Sequence, residues 1–208
     1  MDWTLLAIID ADFVPEDALE ASIAAVARGG ATWIQVRAKT LATGDFVRYA
    51  RVAARAAKTA GVPFFINDRV DVALAVEADG VHLGEEDLPI AEARKLLGPA
   101  RRIGRTARDP ETARRAEAEG ADYLGVGPQF GSRTKPALVP LPVGRTEEIR
   151  RAVSLPLVGI GGIGPSNARE AAKRGLDGIA AISALFASGD PEGAARRLVR
   201  AFREGREA

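Results

Sequence analysis

The chain has no cysteine, one histidine and one methionine among 208 residues. Without cysteine there can be no disulfide, no thiolate metal site and no cysteine nucleophile, a composition that suits a reducing cytosol. Neither sign of charge dominates. The 29 Lys and Arg against 28 Asp and Glu create no broad basic field for nucleic acid or a membrane surface. No apolar run approaches the roughly 20 residues that cross a bilayer. The acidic start, Met1-Asp2-Trp3-Thr4, runs straight into an apolar stretch and does not read as a signal peptide. No Ser-His-Asp set, zinc-ligand cluster or dinucleotide fingerprint occurs. What remains, 47% hydrophobic and 27% charged, is the composition of a soluble globular protein, expected in the cytoplasm.

Short apolar runs alternate with helical patterns along the whole chain. Strands are expected at 4–10, 32–37, 63–66, 80–83, 102–106, 123–126, 156–160 and 178–182. Helices are expected at 15–28, 45–60, 72–76, 90–97, 110–119, 146–153, 165–174 and 191–203, with a turn at 183–186. Gly30, Gly61, Gly120 and Gly175 punctuate the helix-to-strand junctions as an internal repeat of one strand–helix unit. Near-continuous apolar strands are parallel strands covered on both faces. Eight such units without a linker predict one (β/α)8 TIM barrel spanning residues 1–208. An open doubly wound sheet is the alternative, but it requires no such regular count.

Reactive groups in such a barrel stand where strands end and βα loops begin. Strand two ends Gln35-Val36-Arg37-Ala38-Lys39, and alternation sends Gln35, Arg37 and Lys39 to one side. Strand three contributes Asn67 and Asp68, the fourth loop Asp87, and strand five Thr106. The long loop after strand six adds Ser132, Thr134 and Lys135. Asp68 and Asp87 lie one strand–helix unit apart, so in adjacent parallel strands both carboxylates reach one rim. Two hard oxygen ligands with open positions suit Mg²⁺ that also holds phosphate oxygens; taken singly, each reads equally as a helix cap. Arg and Lys beside such a site would hold an oligophosphate and offset its charge as it leaves. Gly161 and Gly162 at the end of strand seven, with Ile182 and Ser183 after strand eight, form a second, backbone-lined phosphate pocket. His82 reads as a hydrogen-bonded structural group or as an acid–base group. Two phosphate sites in one mouth, with no evident nucleophile, suggest joining two phosphorylated small molecules with loss of pyrophosphate.

Several motifs together resemble thiamine-phosphate synthases: Gln35-Val36-Arg37-Ala38-Lys39, Ile66-Asn67-Asp68-Arg69, Gly80-Val81-His82-Leu83-Gly84 with Asp87, Gly125-Val126-Gly127-Pro128, Thr134-Lys135 and Ile160-Gly161-Gly162-Ile163. They occur in the family's order across nearly the whole chain. The resemblance implies condensation of hydroxymethylpyrimidine pyrophosphate with thiazole phosphate through a pyrimidine-methyl cation. It assigns Gln35 to the pyrimidine, and Arg37, Lys39, Asn67 and Lys135 to the pyrophosphate. It gives Asp68 and Asp87 to Mg²⁺, and Ser132, Thr134, Gly162, Ile182 and Ser183 to the thiazole phosphate. Thr106-Ala107-Arg108 departs from the family's Ser-Thr-His or Ser-Ala-His run, and Ile9-Asp10 from its Thr-Asp. Glu85 replaces a common Gln, and Gln129-Phe130-Gly131-Ser132-Arg133 lacks the usual prolines. Alternatives are the related thiazole tautomerase branch, which has a His where Arg108 stands, or an idle barrel that binds thiamine precursors as a regulator. The expected partners are the two small-molecule substrates, with a homo-oligomer left open.

Overall fold

The computed structural model describes residues 1–131, 139–187 and 189–207. Strands β1 (Leu5–Asp10), β2 (Trp33–Arg37), β3 (Phe64–Asn67), β4 (Gly80–Leu83), β5 (Arg102–Ala107), β6 (Tyr123–Val126), β7 (Leu157–Gly159) and β8 (Gly178–Ala181) follow one another around a barrel. Each pairs in parallel with its sequence neighbours, and β8 returns to β1 to close the ring. The expected (β/α)8 barrel is therefore the fold.

The helices are α1 (Leu19–Arg28), α2 (Thr43–Ala60), α3 (Val70–Ala75), α4 (Ile90–Leu97), α5 (Pro110–Ala118), α6 (Arg145–Ala152), α7 (Ala168–Lys173), α8 (Ser183–Phe186) and α9 (Pro191–Arg206). Several helix bounds differ from expectation: α2 and α3 each begin two residues early, and α9 runs three residues further, to Arg206. The first helix opens as a 3-10 turn, Glu16–Ala18. The seventh starts late, because Gly164 N–H bonds Asn167 Oδ1 at 2.8 Å and holds 164–167 as a turn. The expected turn at 183–186 is a single helical turn, α8. No described helix is long and apolar enough to cross a membrane.

Strand residues alternate between two cores. The outward rows pack under the helices with residues such as Ile23, Phe46, Leu97 and Phe202. The inward rows make a second cluster of Leu6, Ile8, Trp33, Phe65, Tyr123, Val158 and Ala180, with Trp3 against it. Trp33 packs edge-on to Trp3, Phe65 and Tyr123 with centroids 5.2, 5.0 and 5.0 Å away. Trp33, Phe65 and Tyr123 lie at or near the N-terminal starts of their strands. These rings fill the lower barrel, below the C-terminal ends of the strands.

The lower rim also carries a repeated hydrogen bond. Thr32 Oγ1, Asp79 Oδ2, Asp122 Oδ2 and Asp177 Oδ2 lie just ahead of β2, β4, β6 and β8. They accept from the N–H of Leu5, Phe64, Ile103 and Leu157 in the preceding strands, at 3.1, 2.8, 2.8 and 2.9 Å. Four strand-start donors with no ladder partner are satisfied this way.

Candidate active site

A cavity of about 1000 Å³ opens at the C-terminal ends of the strands. The inward rows reach it above the aromatic plug. Gln35, Arg37, Lys39, Asn67, Asp68, Asp87, Thr106, Gly161, Gly162, Ile182 and Ser183 all line it, so residues from six strand–loop units meet in one mouth. Ser132, Thr134 and Lys135 fall outside the described residues.

Neither aspartate caps a helix. The residues preceding α3 and α4 are Arg69 and Pro89, with no side-chain cap bond at either end. Asp68 instead takes a left-handed backbone, φ 65°, which is uncommon for a residue with a Cβ and is found at functional sites. Its N–H donates to His82 O at 2.7 Å, tying the tip of β3 to β4. Its carboxylate pairs with Lys39. Asp87 Oδ2 accepts from Gly84 N–H at 2.7 Å, which folds the loop after β4 over the mouth. Burial pushes the Asp87 carboxyl above its ordinary value, and the hydrogen bond and negative charge of Asp68 add to that. Gly84 N–H and Lys39 pull the other way. Among the described residues no three His, Cys, Asp or Glu side chains cluster to hold a metal.

Arg37 is held from below by Asp10, a carboxylate only 1% exposed. Beside it, Gln35 is 2% exposed and lies near enough to the Tyr123 hydroxyl to influence its proton affinity. That hydroxyl lies 3.0 Å from His82 Nδ1, and His82 Nε2 lies 3.1 Å from Thr106 Oγ1. Burial above all drives the Tyr123 phenol far above its ordinary value, with Asp122 adding to the effect and Gln35 opposing it. Tyr123 therefore stays protonated. A chain Tyr123–His82–Thr106, with Gln35 beside Tyr123, thus crosses the cavity floor, and His82 is hydrogen-bonded within it. Two glycines make the room. A Cβ on Gly104 would stand 2.1 Å from Tyr123 Cζ, and one on Gly125 2.7 Å from His82 Cε1.

The glycine turn after β7 is built against the loop after β6. Gln129 N–H bonds Ile160 O at 2.8 Å and Phe130 N–H bonds Gly161 O at 3.0 Å. Gly161 and Gly162 have φ of 92° and 66°, and Asn167 Nδ2 holds Gly162 O at 2.9 Å. Below them, buried Gln129 bonds Thr146 Oγ1 at 3.0 Å and accepts from Arg174 at 3.1 Å. The same guanidinium donates to Gln129 O at 3.0 Å and lies 4.4 Å from the Phe130 ring centre.

Sequence reasoning named neither Tyr123 nor the Gln129–Arg174 clamp. The inward position of Tyr123 followed from alternation along β6, but its meeting with Gln35 and His82 depends on neighbours in other strands. Arg105 donates to Glu85 O at 2.9 Å and Leu88 O at 3.3 Å, and so anchors the loop that carries Asp87.

These parts define a (β/α)8-barrel enzyme whose polar groups converge on the C-terminal mouth. The chain belongs to the thiamine monophosphate synthase family, whose model matches residues 5–185. The thiamine-phosphate synthase of Chloroflexus aurantiacus is 44% identical over 199 residues, covering 95% of this chain and 92% of that protein. That of Moorella thermoacetica is 48% identical over 171 residues, covering 82% and 81%. The solved thiamine phosphate pyrophosphorylase of Pyrococcus furiosus superposes with a TM-score of 0.88 at 38% identity, covering 98% of this chain and 97% of the other.

Proposed function

We propose that the chain, working as one barrel domain over residues 1–208, makes thiamine phosphate from hydroxymethylpyrimidine pyrophosphate and thiazole phosphate. The observation that carries this reading is the contact of Asp68 with Asp87 at the same rim as Arg37 and Lys39. Two carboxylates in contact, one with raised proton affinity, are a site that a cation relieves. All-oxygen donors fit Mg²⁺, with the remaining positions left for water and phosphate oxygens. Bound there, Mg²⁺ would neutralise charge on the departing pyrophosphate.

The protein's own part is binding and orientation. Gln35, beside Tyr123, presents its amide to the pyrimidine, and Thr106, fixed by His82, presents its hydroxyl beside it. Arg37, Lys39 and Asn67, with Lys135 from the loop after β6, hold the pyrophosphate. The bond between the pyrimidine methylene and the pyrophosphate oxygen breaks, and its electron pair leaves with pyrophosphate. The cation left behind is captured by the lone pair of the thiazole nitrogen, forming the new carbon–nitrogen bond. Gly161, Gly162, Ile182 and Ser183, with Ser132 and Thr134, hold the thiazole phosphate close enough for that capture to outrun water.

The test mixes purified protein with both substrates, with and without Mg²⁺, and follows thiamine phosphate and pyrophosphate. Mg²⁺-dependent formation of both is expected. Folded protein that binds thiazole phosphate yet forms neither product would leave the tautomerase or the idle binder as the better reading.

A further inference from the structure

Resting on the function proposed above, we propose that Arg108 is a substrate ligand, which exchanges its partner Glu85 for an oxygen of the pyrophosphate. The inward row of β5 is Gly104 and Thr106, and continuing that alternation past the strand end brings Arg108 to the cavity wall above Thr106. Arg105 turns the other way and anchors the neighbouring loop through Glu85 O and Leu88 O. Arg108 therefore faces the mouth beside the loop that carries Asp87.

The cavity's cations differ in how firmly they are engaged. Arg37 is tied to buried Asp10, and Lys39 is paired with Asp68. Arg108 Nε lies 3.2 Å from Glu85 Oε1, with the two side chains 43% and 44% exposed. A solvated pair of this kind is weak and is easily exchanged. Among the described residues of the cavity, Asp68, Glu85, Glu86 and Asp87 face Arg37, Lys39 and Arg108. Carboxylates outnumber cations, so an entering pyrophosphate gains from every cation that can turn toward it. A planar guanidinium suits phosphate oxygens by its paired donors, and Glu85 holds it in reserve until the anion arrives.

The experiment measures inorganic pyrophosphate binding by calorimetry in Mg²⁺ buffer for wild type, Arg108→Ala, Glu85→Gln and the double variant. Melting temperatures verify that each is folded. Arg108→Ala is expected to weaken binding about five- to ten-fold, the loss of one partly exposed charged hydrogen bond. Glu85→Gln should tighten binding, by freeing the guanidinium and removing a like charge. The double variant decides between a contact and mere neutralisation of Glu85. It should stay about five-fold weaker than Glu85→Gln alone. A double variant that binds as tightly as Glu85→Gln, or wild-type affinity in Arg108→Ala, overturns the inference. Thiamine phosphate formation by the wild type is followed in parallel. Its absence would sink the functional reading as well, whereas its presence with unchanged Arg108→Ala affinity would sink this inference alone.

Discussion

Asp87 meets Asp68 across the tips of β3 and β4, and each is also held by a group of its own, Gly84 N–H for Asp87 and Lys39 for Asp68. The Gly84 hydrogen bond and the Lys39 pair thus keep the two acids at one rim. Burial and this contact keep Asp87 more willing to hold a proton than a free aspartate.

The sign of the resulting pH effect is definite. The folded-state pKa lies above the ordinary 3.8, so the folded protein binds the proton more tightly than the unfolded chain. Stability then falls as pH rises from 3.8 through the folded value. Asp87→Asn removes that loss while keeping an oxygen for Gly84 N–H. Without Mg²⁺ the variant is expected to melt above wild type at neutral pH, and the gain should vanish below pH 3.8. Added Mg²⁺ should raise the wild-type melting temperature more than the variant's. Thermal scans at both pH values, with and without Mg²⁺, check each part. Turnover should fall by about 100-fold or more as the metal-dependent step loses a ligand.

Tyr123→Phe deletes the hydroxyl that bonds His82 and lies beside Gln35. We expect a loss of about 1–3 kcal/mol of stability. The KM for the pyrimidine pyrophosphate should rise more than that for thiazole phosphate. Urea unfolding and steady-state kinetics with each substrate varied measure both. Equal rises in the two KM values would contradict the placement of Gln35 at the pyrimidine.

Gly162→Ala would force a side chain onto a left-handed backbone and place its Cβ 2.3 Å from Gly131 O. The turn after β7 has to move away from the loop after β6. About 1–3 kcal/mol of stability should be lost, and the KM for thiazole phosphate should rise with little change for the pyrimidine substrate. A melting curve and the two KM values test this.

Asp122→Ala probes the opposite end of the barrel. It removes the acceptor of Ile103 N–H and the partner of Arg94 at 2.7 Å. The expected cost is about 1–3 kcal/mol in urea unfolding, with both KM values unchanged in the remaining folded protein. A marked change in either KM would mean that the lower rim is coupled to the mouth.

Most of the barrel was legible in the chain because its signals are local. Apolar runs, helix-ending glycines and the spacing of one strand–helix unit are properties of neighbouring residues, and they located all eight strands within a residue or so. The alternation at Gln35, Arg37 and Lys39 placed those groups in the mouth for the same reason. Helix starts were less legible where hydrogen bonds hold a turn, as Asn167 does at Gly164.

The sequence by itself determined the order of strands and helices, the inward rows and the set of polar groups at the strand ends, because periodicity acts along the chain. Tertiary structure decided the partnerships. Asp68 and Asp87 could equally have capped helices until the closing of β3 against β4 brought them into contact. Tyr123 became part of the site because Gly104 on the neighbouring β5 leaves space for its ring, and Gly125 leaves space for His82, which reaches it from β4 across β5. The Gln129–Arg174 clamp likewise joins residues far apart in the chain. Such contacts depend on register and on the volume across the barrel, which no local pattern records.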